Sequence, residues 1–145
     1  MSERAERAVE LFDSGFNCAQ SVLAAFCGAY GVEEAVALKM SSGLGGGVRA
    51  GEICGAVSGA AMVIGLKHGQ NVAADKETKT NCNQKVVAFI SAFRAQNGSV
   101  VCREILGFDV SVKEEYERAN QQNLFKTKCV EMIKSAVALL EALGY

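Results

Sequence analysis

A chain of 145 residues, half of them hydrophobic and 21% charged, has the composition of a globular domain rather than of a disordered segment. The formal net charge is -1 and both signs are spread along the length, so there is no basic field for a polyphosphate backbone and nucleic acid is not an expected partner. One domain over residues 1–145, long enough to bury about two-thirds of its unfolded surface, is the expected organisation.

The charged start, Met1-Ser2-Glu3-Arg4-Ala5-Glu6-Arg7, lacks an apolar segment with a cleavage site, which predicts a cytoplasmic chain. Ser2 caps a first predicted helix with apolar Ala5, Ala8, Val9 and Phe12, ended by Asp13-Ser14-Gly15. Asn17 caps a second, with Ala19, Val22, Leu23 and Phe26, which stops at Gly31. Val32, Ala35, Val36 and Met40 suggest a short third. Gly43 to Gly51 holds too many glycines for a helix or strand interior and reads as a loop.

The loop feeds a fourth helix from about Glu52 to Lys67, where Gly55 and Gly59 lie four apart and let another backbone approach. Its uncharged run Ile53 to Leu66 has 14 residues, fewer than the roughly 20 that cross a bilayer, so it predicts a central buried helix and not a membrane span. A polar stretch to about Asn83 precedes a helix with Val86, Phe89, Ile90 and Phe93, ending at Asn97-Gly98. Ser99 caps a short helix through Leu106, Ser111 and Glu114 form a capping-box pattern for the next, and Val130, Ile133, Val137 and Leu140 form one stripe of a last helix from about Lys128. Only Phe108 to Val112 alternates like a strand. The expected fold is all-α, a compact multi-helix bundle around the glycine-flanked fourth helix.

In a chain without a secretory signal, six cysteines are expected as thiols, metal ligands or redox groups rather than disulfide staples. Cys18, Cys54, Cys102 and Cys129 fall at helix beginnings, where unpaired N–H groups and the helix dipole favour a thiolate. Cys27 and Cys82 lie elsewhere on their segments and read as bystanders. Any single cysteine is more often packing than chemistry, but four at equivalent positions predict a shared site. No C-x-x-C spacing is present, so the site must assemble from distant segments.

Asn17-Cys18-Ala19-Gln20, the glycine run from Gly43, Gly51-Glu52-Ile53-Cys54-Gly55-Ala56-Val57-Ser58-Gly59, Cys102 to Gly107 and Leu124 to Cys129 together resemble the redox-active family named for its C-GCAxxG-C-C pattern, across nearly the whole chain. The resemblance implies that Cys18, Cys54, Cys102 and Cys129 are the motif cysteines. A similar helical domain in split-Soret cytochromes accompanies an iron–sulfur centre, which implies a cluster here, whereas the absence of C-x-x-C-H leaves out haem.

Gly45-x-Gly47-x-x-Ala50 matches a loose dinucleotide fingerprint, but no strand precedes it, so nucleotide binding is not expected. The glycines, with Gly46, Gly47 and Gly55 as the cofactor-binding candidates, are expected to bring bare N–H groups to the sulfurs, with Arg49 adding charge or lying solvated. His68, the one histidine, reads as structural. The leading expectation is therefore an iron–sulfur cluster on four cysteines for electron transfer or redox sensing. The alternatives are a metal-free thiol/disulfide protein and a structural zinc site in an interaction module. An unspecified redox partner is expected, and self-association into a homo-oligomer is left open.

Overall fold

Apolar residues spaced three and four apart wind most of the chain into helices. The computed structural model, which describes residues 1–145, contains α1 (Glu3–Asp13), α2 (Cys18–Cys27), α3 (Glu34–Ser41), α4 (Gly55–His68), α5 (Lys76–Asn97), α6 (Cys102–Leu106), α7 (Lys113–Gln121) and α8 (Val130–Ala142). There is no β-strand. One isolated antiparallel bridge joins Ile53 to Val101. No helix is long and apolar enough to cross a membrane.

The N-terminal signals act as read. Ser2 Oγ accepts from the Ala5 amide at 3.1 Å and starts α1. Asn17 starts α2 with a reciprocal pair, its side chain accepting from the Gln20 amide while Gln20 Oε1 accepts from the Asn17 amide, both at 2.9 Å. Such a box satisfies two amides that the helix itself leaves unpaired.

Other boundaries differ from the sequence reading for physical reasons. In α3 the small residues Ala37 and Ser41 face α2, while Ala35, Val36 and Met40 are exposed. Small side chains let the two helices approach, so the bulky stripe is not the docking face. Helix α4 begins at Gly55 and not Glu52, because Glu52 to Cys54 are occupied by the bridge to residues 100–102. Helix α5 begins far earlier than expected, at Lys76, with Asp75 accepting from the Thr78 amide at 3.1 Å. Its only fully buried residues are Phe89 and Phe93, so its first half carries no apolar stripe to read.

Helix α6 starts at Cys102 after Val101, and Ser99 instead accepts from the Val101 amide. The Ser111–Glu114 box does not form. Asp109 accepts from Ser111 at 2.9 Å and Glu115 accepts from the Asp109 amide at 3.0 Å, which turns Phe108–Val112 into a bend instead of an alternating strand. The last helix is preceded by a wide turn, Phe125–Cys129, continuous with α8.

The core is centred on α2 as much as on α4. Helix α2 packs against α1, α3, α4 and α8, and seven of its residues are buried around most of its circumference. Phe26, Phe89, Phe93, Ile64 and Ile133 fill the interior. The α2–α4 contact is backbone on backbone: a Cβ on Gly59 would lie 2.7 Å from the Ala19 carbonyl oxygen and 3.0 Å from its Cα, and one on Gly55 would lie 3.1 Å from the Ala19 nitrogen.

Gly59→Ala is therefore expected to cost about 1–3 kcal/mol by overpacking. Gly65→Ala, where a new Cβ meets nothing within 4 Å, is expected to gain about 0.5–1 kcal/mol from helix propensity. Urea unfolding midpoints check both, and equal midpoints for the two variants would show that the helices are not locked at Gly59.

Candidate functional site

Four chain segments each deliver one sulfur to the wall of a single cavity. Cys18, Cys54, Cys102 and Cys129 all line a half-open space of about 320 Å³, whose wall is otherwise mainly apolar. All six cysteines are free thiols. Cys27 is buried in the core with its Sγ donating to the Ala24 carbonyl at 3.5 Å, and Cys82 is half-buried in the first half of α5; neither reaches the cavity.

Each position has a local cause. Cys18 is the first residue of α2, held by the Asn17–Gln20 box, and that box is tied to the next segment: Asn17 Nδ2 donates to the Ser42 carbonyl and Gln20 Nε2 to the Leu38 carbonyl, both at 2.9 Å. Cys54 occupies the cap position of α4. Its amide donates to the Val100 carbonyl at 2.8 Å while the Cys102 amide donates to the Glu52 carbonyl at 2.6 Å, so two backbone bonds couple Cys54 to Cys102. Arg103 fastens the same junction from outside, bonding the Gly51 carbonyl at 3.2 Å and Glu52 at 2.7 Å. Cys129 ends the wide turn that enters α8. Wide helical turns of this kind recur at functional sites.

The glycine loop forms one side of the cavity. Gly46 and Gly55 line it, whereas Gly47 does not: a Cβ there would lie 2.3 Å from the Glu52 nitrogen, so its smallness serves the tight return of the loop. Gly45 is pressed against Asn17, which its Cβ would meet at 2.7 Å. Arg49 lines the cavity as well. His68 lies away from it, at the end of α4 with its ring edge-on to Tyr145 at 5.6 Å.

Sequence reasoning missed the aromatic part of the wall, Phe12, Phe16, Tyr116 and Phe125. Phe125 follows Leu124 inside the quoted cysteine segment, and Tyr116 stacks obliquely on it at 5.0 Å. Phe12 and Phe16 flank Asp13-Ser14-Gly15, a break between helices. An apolar residue beside a break was the available signal.

Electrostatics separate the four thiols. Burial pushes Cys54 up to about 11, partly offset by the Ala56 and Val57 amides of the first turn of α4. Burial pushes Cys102 up to about 12, aided by the Cys54 and Cys129 sulfurs and Asp109 and opposed by Arg49. Cys18 is raised well above the usual thiol range, first because it donates to Cys129 and then by burial and the neighbouring sulfurs. Cys129 is lowered, because that same hydrogen bond stabilises its thiolate. The expectation that helix starts favour thiolates at all four positions therefore fails: burial outweighs the α4 amides at Cys54 and dominates at Cys102, Cys18 is raised by Cys129 and by burial, and Cys129, which lies inside the continuous helical stretch that runs into α8, is lowered by Cys18 and not by a helix end.

No three of the His, Cys, Asp and Glu side chains come close enough to hold a single metal ion. A Cys₄ set around a multinuclear cluster surrounds a larger body, and four thiols distributed on one cavity wall have the chemistry such a body requires.

The helical bundle and its four-sulfur cavity define an all-α cysteine protein with the means for redox chemistry. The chain belongs to the family described as Putative redox-active protein (C_GCAxxG_C_C), whose pattern matches residues 16–143. Neither a curated protein nor a solved structure matches the chain.

A pH dependence follows for the thiol form. The folded chain retains the Cys54 and Cys102 protons to about 11 and about 12, while the unfolded chain releases them near 9.0. Their contribution to stability is complete below pH 9, declines from pH 9 upward and is lost once both have titrated, at about 11 to about 12. Unfolding midpoints of metal-free, reduced protein should fall across that window, and should fall less steeply in a Cys54→Ser, Cys102→Ser double variant. An unchanged slope would contradict the assignment.

Proposed function

We propose that this is a redox protein in which Cys18, Cys54, Cys102 and Cys129 together ligate one iron–sulfur cluster, serving electron transfer or redox sensing. The observation that carries this reading is the convergence of all four sulfurs, from four separated segments, on one cavity. A cluster supplies one-electron transfer when bound, and clusters are held by Cys₄ sets.

The chain's own residues prepare the site. Raised thiols at Cys18, Cys54 and Cys102 must each give up a proton on ligation, so loading releases protons and strengthens with pH. The first-turn amides of α4 and the Arg49 guanidinium compensate the negative charge that results. Gly46 and Gly55 present bare backbone to the cavity, and Gly47 holds the loop that carries Gly46.

Protein purified without oxygen should contain iron and acid-labile sulfide and absorb in the visible. Serine at any of the four positions should lower the iron content several-fold, and serine at Cys27 or Cys82 should leave it unchanged. Protein that stays colourless and iron-free after reconstitution, or that takes up zinc alone, would overturn the reading.

The nearness of Cys18 and Cys129 in the cavity, which raises the first thiol and lowers the second, favours a second reading, a metal-free dithiol. Cys129 thiolate would attack a low-molecular-weight disulfide, breaking its S–S bond, expelling one thiolate and leaving a mixed disulfide on Cys129. Cys18 would then lose its proton and attack the Cys129 sulfur, forming the Cys18–Cys129 bond and expelling the second thiolate. In iron-free protein a Cys18→Ser variant should accumulate the mixed disulfide at Cys129, detectable by peptide mass. Equal accumulation in the native chain would eliminate Cys18 as the resolving thiol.

A further inference from the structure

Arg49 is the one cation on the cavity wall that lacks an acidic partner. The other, Lys126, meets Asp13 at 3.5 Å, and Arg103 at the loop's far end is taken by Glu52; Arg49 forms no ion pair. Its backbone is strained to put it there. Gly46, Gly47, Val48 and Arg49 are consecutively left-handed, with φ of 64, 65, 58 and 56°. Glycine adopts this freely, but a β-branched valine and an arginine at such angles are strained. The guanidinium folds back over Gly46, where a Cβ would lie 2.9 Å from its Nη1. The loop therefore spends strain on aiming an unpaired cation along the cavity wall. The same cavity wall carries the rings of Phe12, Phe16 and Phe125, and the volume of about 320 Å³ sits at the small end of ligand pockets.

We propose that the cavity is also a binding pocket for a small organic anion with an apolar body, its carboxylate on Arg49 and its body against Phe12, Phe16 and Phe125, beside the four sulfurs. The inference rests on the reading of the same cavity and deepens it by naming the class of molecule that approaches the redox centre. A bare inorganic anion leaves the aromatic wall unfilled, and a neutral aromatic leaves the guanidinium unpaired.

The probe is benzoate, titrated by calorimetry into the full chain both as purified without oxygen and after reconstitution, with benzyl alcohol and formate as comparators. Saturable benzoate binding to both forms is expected, at least tenfold tighter than either comparator and at least tenfold weaker in Arg49→Gln. Arg49→Gly removes the guanidinium and the strain together, so it should lose benzoate binding while raising the urea midpoint. Benzyl alcohol or formate binding as well as benzoate, unchanged binding in Arg49→Gln, a lowered midpoint in Arg49→Gly, or loss of binding on loading would each overturn the pocket. Iron-loaded protein that ignores benzoate defeats this inference alone. Benzoate binding to protein that never takes up iron defeats the cluster alone.

Discussion

The contact on which the rest of the structure depends is the one between the backbones of α2 and α4. Gly55 and Gly59 have no side chain, so α4 lies directly on Ala19, and a Cβ at Gly55 would touch the Cys18 Cβ at 3.1 Å. Two helices whose starts meet in this way bring together the first residue of α2 and the cap residue of α4, which are Cys18 and Cys54. The remaining two sulfurs are added by different means. A pair of backbone hydrogen bonds attaches the Cys102 segment to Glu52–Cys54, and the packing of α8 on α1, α2 and α4 brings up Cys129. The cavity is thus a product of helix packing and lies where the starts of α2 and α4 meet.

Gathering sulfurs in this way sets two electrostatic effects against each other. Helix starts favour negative charge by about 0.3–1 kcal/mol each, whereas withdrawing a thiolate from water can shift its titration by several pH units. At Cys54 both are visible on one atom, since the Ala56 and Val57 amides pull down a value that burial has already pushed up to about 11. Only at Cys129, beside Cys18, is the thiol lowered; at the other three positions burial and neighbouring sulfurs favour the protonated form.

Much of the fold was legible because burial and helical period coincide. Helices α1, α2 and α8 bury the faces that their apolar spacing names, and Ser2 and Asn17 cap where they should. The four candidate cysteines could be told from Cys27 and Cys82 by helix position, and those four are the ones that line the cavity. Reading fails where tertiary contact decides. The first half of α5 touches little core, so its helix has no pattern, and α3 docks through alanine and serine, so its bulky residues mislead. At Ser111 two local hydrogen-bonding choices compete, and the bond to Asp109 wins over a box with Glu114. The pairing of Cys54 with Cys102 rests on a bridge too short to leave any periodicity.

The glycine run shows why composition alone understates a loop. Its glycines do separate things: Gly45 yields to the Asn17 side chain, Gly47 to the Glu52 backbone, and Gly51 to Asp109, whose Oδ1 a Cβ would meet at 2.8 Å. With both ends wedged so tightly, the residues between them have little freedom to choose their own angles, and Val48 and Arg49 are driven into the left-handed region. A chain selected only for stability would relieve that cost with two more glycines. Keeping valine exposed at 55% and arginine beside it means that the strain is not repaid by burial of Val48. What the turn does gain is the position of the guanidinium beside Cys102, whose titration it lowers. Strain retained without packing benefit, next to the Cys102 sulfur whose charge the guanidinium offsets, ties the loop to the electrostatics of the cavity.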